Sequence, residues 1–449
     1  MLGLFKIRRV MVRIVRAKRA RLHTFLAAAL SVLVFVLLCS PVASAYSVLT
    51  HEEFVDLLWT DEIRPLLLAR FPGLSEEQIA QAHAYAYGGA VVQDLGYYPF
   101  GSHTFSDLVH YVRTGDFVRE LIGESQDADE YAFALGALSH YVSDIAGHPF
   151  VNQSVAIEFP KLRARYGDSV RFAEGRSAHL RTEFGFDAVQ VAKQRYAPKQ
   201  YHDFIGFKVS KALLERVFPV VYGVELKEVL PREDLAIGTF RFSVSQFIPE
   251  LTQIAARTHK HKQAEIREKG DPEQREFLYR LSRAAYEKEW GTQYQRAGIG
   301  TRFLAVLIRI VPKIGPFKKL TAKFPTTRTE ELYIQSVNET VDRYRALLKQ
   351  VRNGPPVLPN CDLDSGEPTR AAEYPLADDT YAELLAKLSK RDYAQVSPEL
   401  RQNILRFYSD LSLEIHTKKR PERWQEVLTA LERLKSAAAG PIEARTPAR

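Results

Sequence analysis

Apolar positions along most of this chain recur every three or four residues, with polar residues between them, and no series of strictly alternating segments joined by tight turns interrupts the pattern. The spacing predicts an all-α protein. Thr50 and Glu53 have capping-box spacing ahead of HEEFVDLLWTDEIRPLLLARF (51–71), which predicts a first helix. After a break at FPGLSEEQ, the alanine-rich run EEQIAQAHAYAYGGAVVQDLG predicts a second helix ending near Gly96. YYPFGSHTF reads as a loop, and SDLVHYVRTGDFVRELIGE as renewed helix. A long helix rich in small residues is expected over Glu130–His148, and helical character continues over Glu183–Arg195. Further amphipathic helices are expected at Phe204–Phe218, Val244–Ala256, Pro272–Trp290 and Thr327–Arg352.

Composition changes this picture in two places. The Pro-, Gly- and Asp-rich stretch from Asn353 to Pro375 reads as a linker. The organisation expected is a leader over 1–45, a catalytic domain over 46–250, a helical extension over 251–352, the linker over 353–375 and a C-terminal helical segment over 376–449. Residues 1–45 hold eight of the 62 basic residues and no acid, so the remaining 54 balance the 54 acidic residues. The +8 formal charge is therefore a property of the leader, and no global electrostatic case for nucleic acid survives.

That leader has the form of a secretory signal. A basic stretch precedes the apolar run Phe25–Leu38, which is short for a membrane span and is followed by small residues at Ala43 and Ala45. Cleavage after Ala45 would export the protein to the periplasm or beyond and leave Tyr46 as its first residue. An uncleaved leader would anchor it to the membrane instead. Only Cys361 would remain in the mature chain, which excludes an internal disulfide and leaves metal as the available cross-link.

Candidate chemistry concentrates in the first half. GALSHYVSDIAGHPF (136–150) spaces His140, Asp144 and His148 one helical turn apart, so the three share a face. His179 and Glu183 form a second one-turn pair. Seven of the eleven histidines beyond the leader lie between residues 51 and 179, alongside Asp94 and Asp144. Imidazole with carboxylate suits zinc. Gly136, Ala137, Ser139, Ser143, Ala146 and Gly147 keep the long helix thin, so neighbours can approach closely enough to share a metal cluster.

Together, GALSHYVSDIAGHP, HLRTE, AYGGAVVQDLGYY and YSVLTH resemble the bacterial zinc-dependent phospholipase C family, which shares an all-helical fold with the fungal single-strand nucleases. The resemblance covers about Tyr46 to Arg195, and implies a cluster of two or three Zn2+ ions. Tyr46 would chelate through its amine and carbonyl, and His51 would follow as the next ligand. Asp94 would be the loop aspartate, His110 the histidine after it, and His140 and Asp144 an HxxxD pair with Asp144 bridging two ions. His148, His179 and Glu183 would hold the remaining zinc. The family generally begins with Trp where Tyr46 stands, and better-known members place six residues, not four, before the equivalent of His148. His103 competes with His110, which is preferred because SDLVHY looks helical. His83 reads as a packing histidine.

The resemblance implies phosphodiester hydrolysis by zinc-activated water, with Asp94 as both ligand and catalytic proton acceptor. Glu183 accords with the phospholipases, where the nucleases generally carry Asp, and the neutral mature chain offers no basic groove for polynucleotide. The Tyr46-to-His51 spacing is closer to the nucleases. Phospholipid is the favoured substrate, single-stranded nucleic acid the alternative, and a secreted non-catalytic protein with structural zinc the second alternative. Arg302–Leu320, an apolar run carrying Arg309, Lys313, Lys318 and Lys319, is either a peripheral membrane contact or a core helix broken at Pro312. THKHK (258–262) reads as a solvated face, and Asp362 and Asp364 share part of a calcium-loop pattern with its glycine and terminal acid out of register.

Overall fold

The computed structural model describes residues 47–193, 196, 205–253, 255–256 and 322–437. The leader, Tyr46, Thr258–Lys262, Pro272–Trp290 and Arg302–Leu320 lie outside them. Among the described residues the chain is helical, with a single isolated bridge between Cys361 and Pro368 as its nearest approach to sheet.

One helix organises the rest. It spans Ala128–Glu158 and is buried on nearly every face until its last turns. Asp127 caps it by accepting the Glu130 N–H at 2.8 Å. Its small residues let a second helix, Glu76–Ala90, lie directly against it. A Cβ added at Gly136 would stand 2.0 Å from the Ala86 carbonyl oxygen, and one at Gly89 would stand 1.9 Å from that of Phe133. No side chain fits either gap, so glycine at both positions sets the separation of the two axes.

The first helix, Val48–Leu58, begins before the predicted cap. Ser47 is the N-cap residue, and Thr50 lies buried inside the helix. The alanine-rich helix ends at Ala90, and a tighter 3-10 stretch, Val92–Tyr97, carries Asp94. SDLVHYVRTGDFVRELIGE divides into His103–Tyr111 and Thr114–Glu124, separated at Arg113, whose backbone is left-handed at φ 51°. Glu183 and His179 sit in the middle of Phe172–Ala192, which starts well ahead of the predicted Glu183.

The core extends past the family-like region. Thr327–Asn353 buries Leu332, Val337, Val341, Tyr344 and Leu348, and Tyr344 donates to the Leu135 carbonyl of the central helix at 2.9 Å. Residues 354–374, within the stretch Asn353 to Pro375 read from composition as a linker, are stitched to the same core. Tyr141 donates to the Pro359 carbonyl, and Thr114 exchanges hydrogen bonds with Cys361. Three final helices, Pro375–Ser389, Pro398–Phe407 and Pro421–Ser436, pack together, with Tyr381 stacked on Phe407 at 3.7 Å. They join the first half through a 2.6 Å hydrogen bond from Thr104 to Glu383.

Candidate metal centre

The central helix meets the first helix, the 3-10 stretch and His103–Tyr111 around a buried group of imidazoles and carboxylates. Two triads place one ligand atom from each member within 4.8 Å of the others: His51 with His140 and Asp144, and Asp94 with His110 and His140. All five side chains are essentially inaccessible to solvent. His140 Nε2 lies 3.1 Å from Asp144 Oδ2, and His110 Nε2 lies 3.6 Å from both Asp144 Oδ2 and Asp94 Oδ1. His51 Nε2 is 3.7 Å from Asp144 Oδ1, with its ring stacked on His140 at 4.3 Å.

The outer nitrogens decide what this group can hold. His140 Nδ1–H donates to the Ala90 carbonyl at 2.9 Å, a contact available only because the glycines at 89 and 136 bring the two helices together. His110 Nδ1–H donates to the Ser106 carbonyl at 2.8 Å. Ser143 commits its own hydrogen to the His140 carbonyl, so His51 Nδ1–H donates to Ser143 Oγ at 3.0 Å. Each ring therefore turns the unprotonated Nε2 of its neutral form toward the carboxylates. Lone pairs facing carboxylate oxygens at these distances call for a cation between them, and the outer hydrogen bonds are those that orient metal-ligating histidines. The donor set fits zinc.

Charge balance agrees. Burial holds His51 well below its usual range, helped by the neighbouring His140. Asp144 stays far below the ordinary carboxylate value: burial opposes ionisation, but His140, His110 and His148 outweigh it. His110 is raised despite its burial, because Asp144 and Asp94 favour its charged form. A cation bound among these carboxylates would supply the positive charge that they favour at His110.

The remaining predicted ligands lie along the next turns without forming a third such triad among the described residues. His148 Nε2 is 3.9 Å from Asp144 Oδ2, and the His148 and His179 rings are 6.3 Å apart. His179 donates Nε2–H to the Val170 carbonyl at 2.6 Å, leaving Nδ1 facing Glu183 Oε1 at 3.3 Å. Burial depresses both His148 and His179 to about 4 and pushes Glu183 well above its usual range, with Asp144 adding to the rise. A carboxyl so raised takes up a proton when no cation is near and releases it to bind one.

His103 begins its helix exposed beside Tyr97, apart from the two triads. His83 packs elsewhere, stacked on Trp59 at 3.8 Å and 2.9 Å from Asp56.

One residue at the centre was not among the predicted ligands. Asp364 Oδ1 lies 3.5 Å from His148 Nε2, contributed by a segment more than two hundred residues away in sequence. Its partial calcium-loop pattern was the one signal that attached chemistry to it. A cavity of about 390 Å³ adjoins this side, lined by Arg171, Asp362, Arg370 and Tyr374 among others.

A family model described as zinc dependent phospholipase C matches residues 50–231. No curated protein and no solved structure gives a significant match. The matched span contains His51, Asp94, His110, His140, Asp144, His148, His179 and Glu183, and stops before Asp364.

Proposed function

We propose, from the match of residues 50–231 to the zinc dependent phospholipase C family model, that the chain is an exported phospholipase C releasing a phosphorylated head group from phospholipid. The observation that carries the reading is the arrangement of His51, His110 and His140, each tied at Nδ1 and turned through Nε2 onto Asp94 and Asp144. In this reading these five residues, with the amine and carbonyl of a processed Tyr46, hold one part of a cluster of two or three zinc ions. His148, His179 and Glu183 hold the rest. Bound zinc lowers the pKa of coordinated water toward neutrality and offsets charge on the phosphoryl oxygens.

The chain's own groups supply position and proton transfer. Asp94 sits on a short 3-10 stretch, where Ser106 fixes the backbone by donating to the Gln93 carbonyl at 2.5 Å and accepting the Gly96 N–H at 2.9 Å. Its carboxylate is the proton acceptor in this mechanism. The Ser106 and Ala90 carbonyls keep His110 and His140 in the tautomer that presents Nε2. Exclusion of bulk water strengthens every electrostatic interaction among these groups. Export follows from the leader. Among the described residues no helix is long and apolar enough to cross a membrane, and Arg302–Leu320 is a candidate surface for peripheral membrane contact.

The test uses protein beginning at Tyr46, incubated separately with phosphatidylcholine vesicles and single-stranded DNA, with and without chelator. Chelator-sensitive release of phosphocholine is the expected result. Cleavage of DNA alone would move the protein to the nuclease branch. Turnover of neither, with zinc still bound, would favour a structural metal.

A further inference from the structure

We propose that Asp364 is itself a metal-ligating carboxylate, delivered by the segment after residue 353 to the part of the cluster that holds His148, His179 and Glu183. The inference rests on the reading that this cluster binds zinc, and extends it to a residue outside the span that defines the family here.

The carboxylate is built into place from several directions. Asp364 Oδ2 accepts hydrogen bonds from Tyr111 at 2.8 Å and Tyr374 at 2.5 Å. Both phenol donors serve one oxygen, which turns Oδ1 toward His148. Oδ1 is fully buried and takes no hydrogen bond, and His148 takes none at either ring nitrogen. An unpartnered oxygen and an unpartnered imidazole, 3.5 Å apart and sealed from water, are both left in want of a common positive partner. Among the described residues no lysine or arginine forms an ion pair with Asp364. A carboxylate buried without a positive partner is strongly unfavourable. A divalent cation supplies that charge and satisfies both atoms.

The backbone beneath Asp364 is equally specific. The Asp362 carboxylate accepts the Asp364 N–H at 2.9 Å, Gly366 N–H donates to the Asp362 carbonyl at 2.8 Å, and Leu363 N–H donates to the His110 carbonyl at 3.1 Å. Gly366 has φ +76°, and a Cβ there would lie 2.6 Å from the Ile145 carbonyl of the central helix. Pro149 has no N–H to offer that carbonyl, its partner one turn back in a regular helix, so the turn seats against a helix surface altered at that point. The outcome is a tight turn locked beside Asp144 and His148 and carrying one inward carboxylate.

The experiment titrates the metal-free protein beginning at Tyr46 with Zn2+ against a chromophoric chelator, with bound zinc counted by elemental analysis. The wild type is compared with Asp364→Asn and His140→Ala. Asn keeps an oxygen for the two tyrosines, so the turn retains its hydrogen bonds. The expected result is that Asp364→Asn loses one ion, or binds one class of ion at least about 10-fold more weakly, while His140→Ala weakens a different class. Identical stoichiometry and affinity in wild type and Asp364→Asn would overturn the proposal and leave the zinc reading intact. A wild type that binds no zinc would remove both. If Asp364→Asn loses its helical circular dichroism, anomalous scattering at the zinc edge from wild-type crystals decides. A zinc ion about 2.0–2.2 Å from the Asp364 carboxylate supports the proposal. Zinc ions with that carboxylate outside their coordination shells refute it.

Discussion

Thr50 Oγ1 donates a 2.6 Å hydrogen bond to Asp187 Oδ1, joining the first helix to one 137 residues later in the chain. Asp187 Oδ2 accepts the Leu49 N–H at 3.1 Å, and Tyr196 and Tyr333 place their hydroxyls 2.5 Å and 3.0 Å from Thr50. No side chain of Ser47 caps this helix, so a carboxylate from another helix satisfies its first turn. The same contact fixes the residue immediately before His51. Thr50→Val keeps the shape of the side chain and removes the hydroxyl from three polar neighbours. It should destabilise the protein by about 1–3 kcal/mol, read as a lower midpoint of denaturant unfolding with an unchanged slope.

Asp187 itself predicts a pH dependence. Burial pushes its carboxyl up to about 6, against the pull of Thr50, Ser47 and the amides of Leu49 and Thr50. A folded pKa above the ordinary 3.8 means that the folded state holds a proton the unfolded state has lost. That contribution is fully present below about pH 4 and disappears as pH rises through about 6. The stability of wild type relative to Asp187→Asn should therefore decline across this window, at fixed zinc, and level off above it. Parallel stability profiles for the two proteins would show that this carboxyl does not titrate there.

Gly136→Ala should act on fold and site together. The added Cβ would meet the Ala86 carbonyl at 2.0 Å, so the two helices must separate. Overpacking of this kind costs about 1–3 kcal/mol. Separation also lengthens the hydrogen bond from His140 to the Ala90 carbonyl that sets the ring's tautomer. The expected result is a lower melting temperature together with weaker zinc retention on dialysis. Loss of stability with unaltered zinc binding would show that His140 does not depend on this interface.

Asp94→Asn tests the proton acceptor. Asn retains the size of the side chain and loses its basicity, so kcat should fall about 10²–10⁴-fold in protein whose helical circular dichroism matches wild type. Because Asp94 is also a proposed ligand, the assay is run with zinc occupancy measured in parallel. A variant that keeps its zinc and its kcat would reassign the base.

Phosphocholine release should vanish on treatment with a strong chelator and return on adding Zn2+, whereas Mg2+ should not restore it. Magnesium prefers an octahedral oxygen shell, and the centre presents several imidazole nitrogens. Recovery with Mg2+ would contradict the zinc assignment.

The sequence by itself determined what depends on local spacing. A helix repeats every 3.6 residues, so His140, Asp144 and His148 had to share a face, as did His179 and Glu183, wherever those helices went. Glycine and alanine within the same run gave that helix a surface that a neighbour can approach closely. Proline and glycine content, in contrast, made 354–374 look like a connection, because composition reports backbone conformation and not what the backbone rests on. Tertiary structure alone decided that this stretch lies on the central helix and turns Asp364 toward His148. It also decided that His140 donates its outer proton to the Ala90 carbonyl and His179 to that of Val170. Both partners lie outside the helix that carries the histidine, and their distances follow from how the chain packs. No local pattern encodes that separation: it emerges when buried small residues at Gly89 and Gly136 remove the space between two backbones.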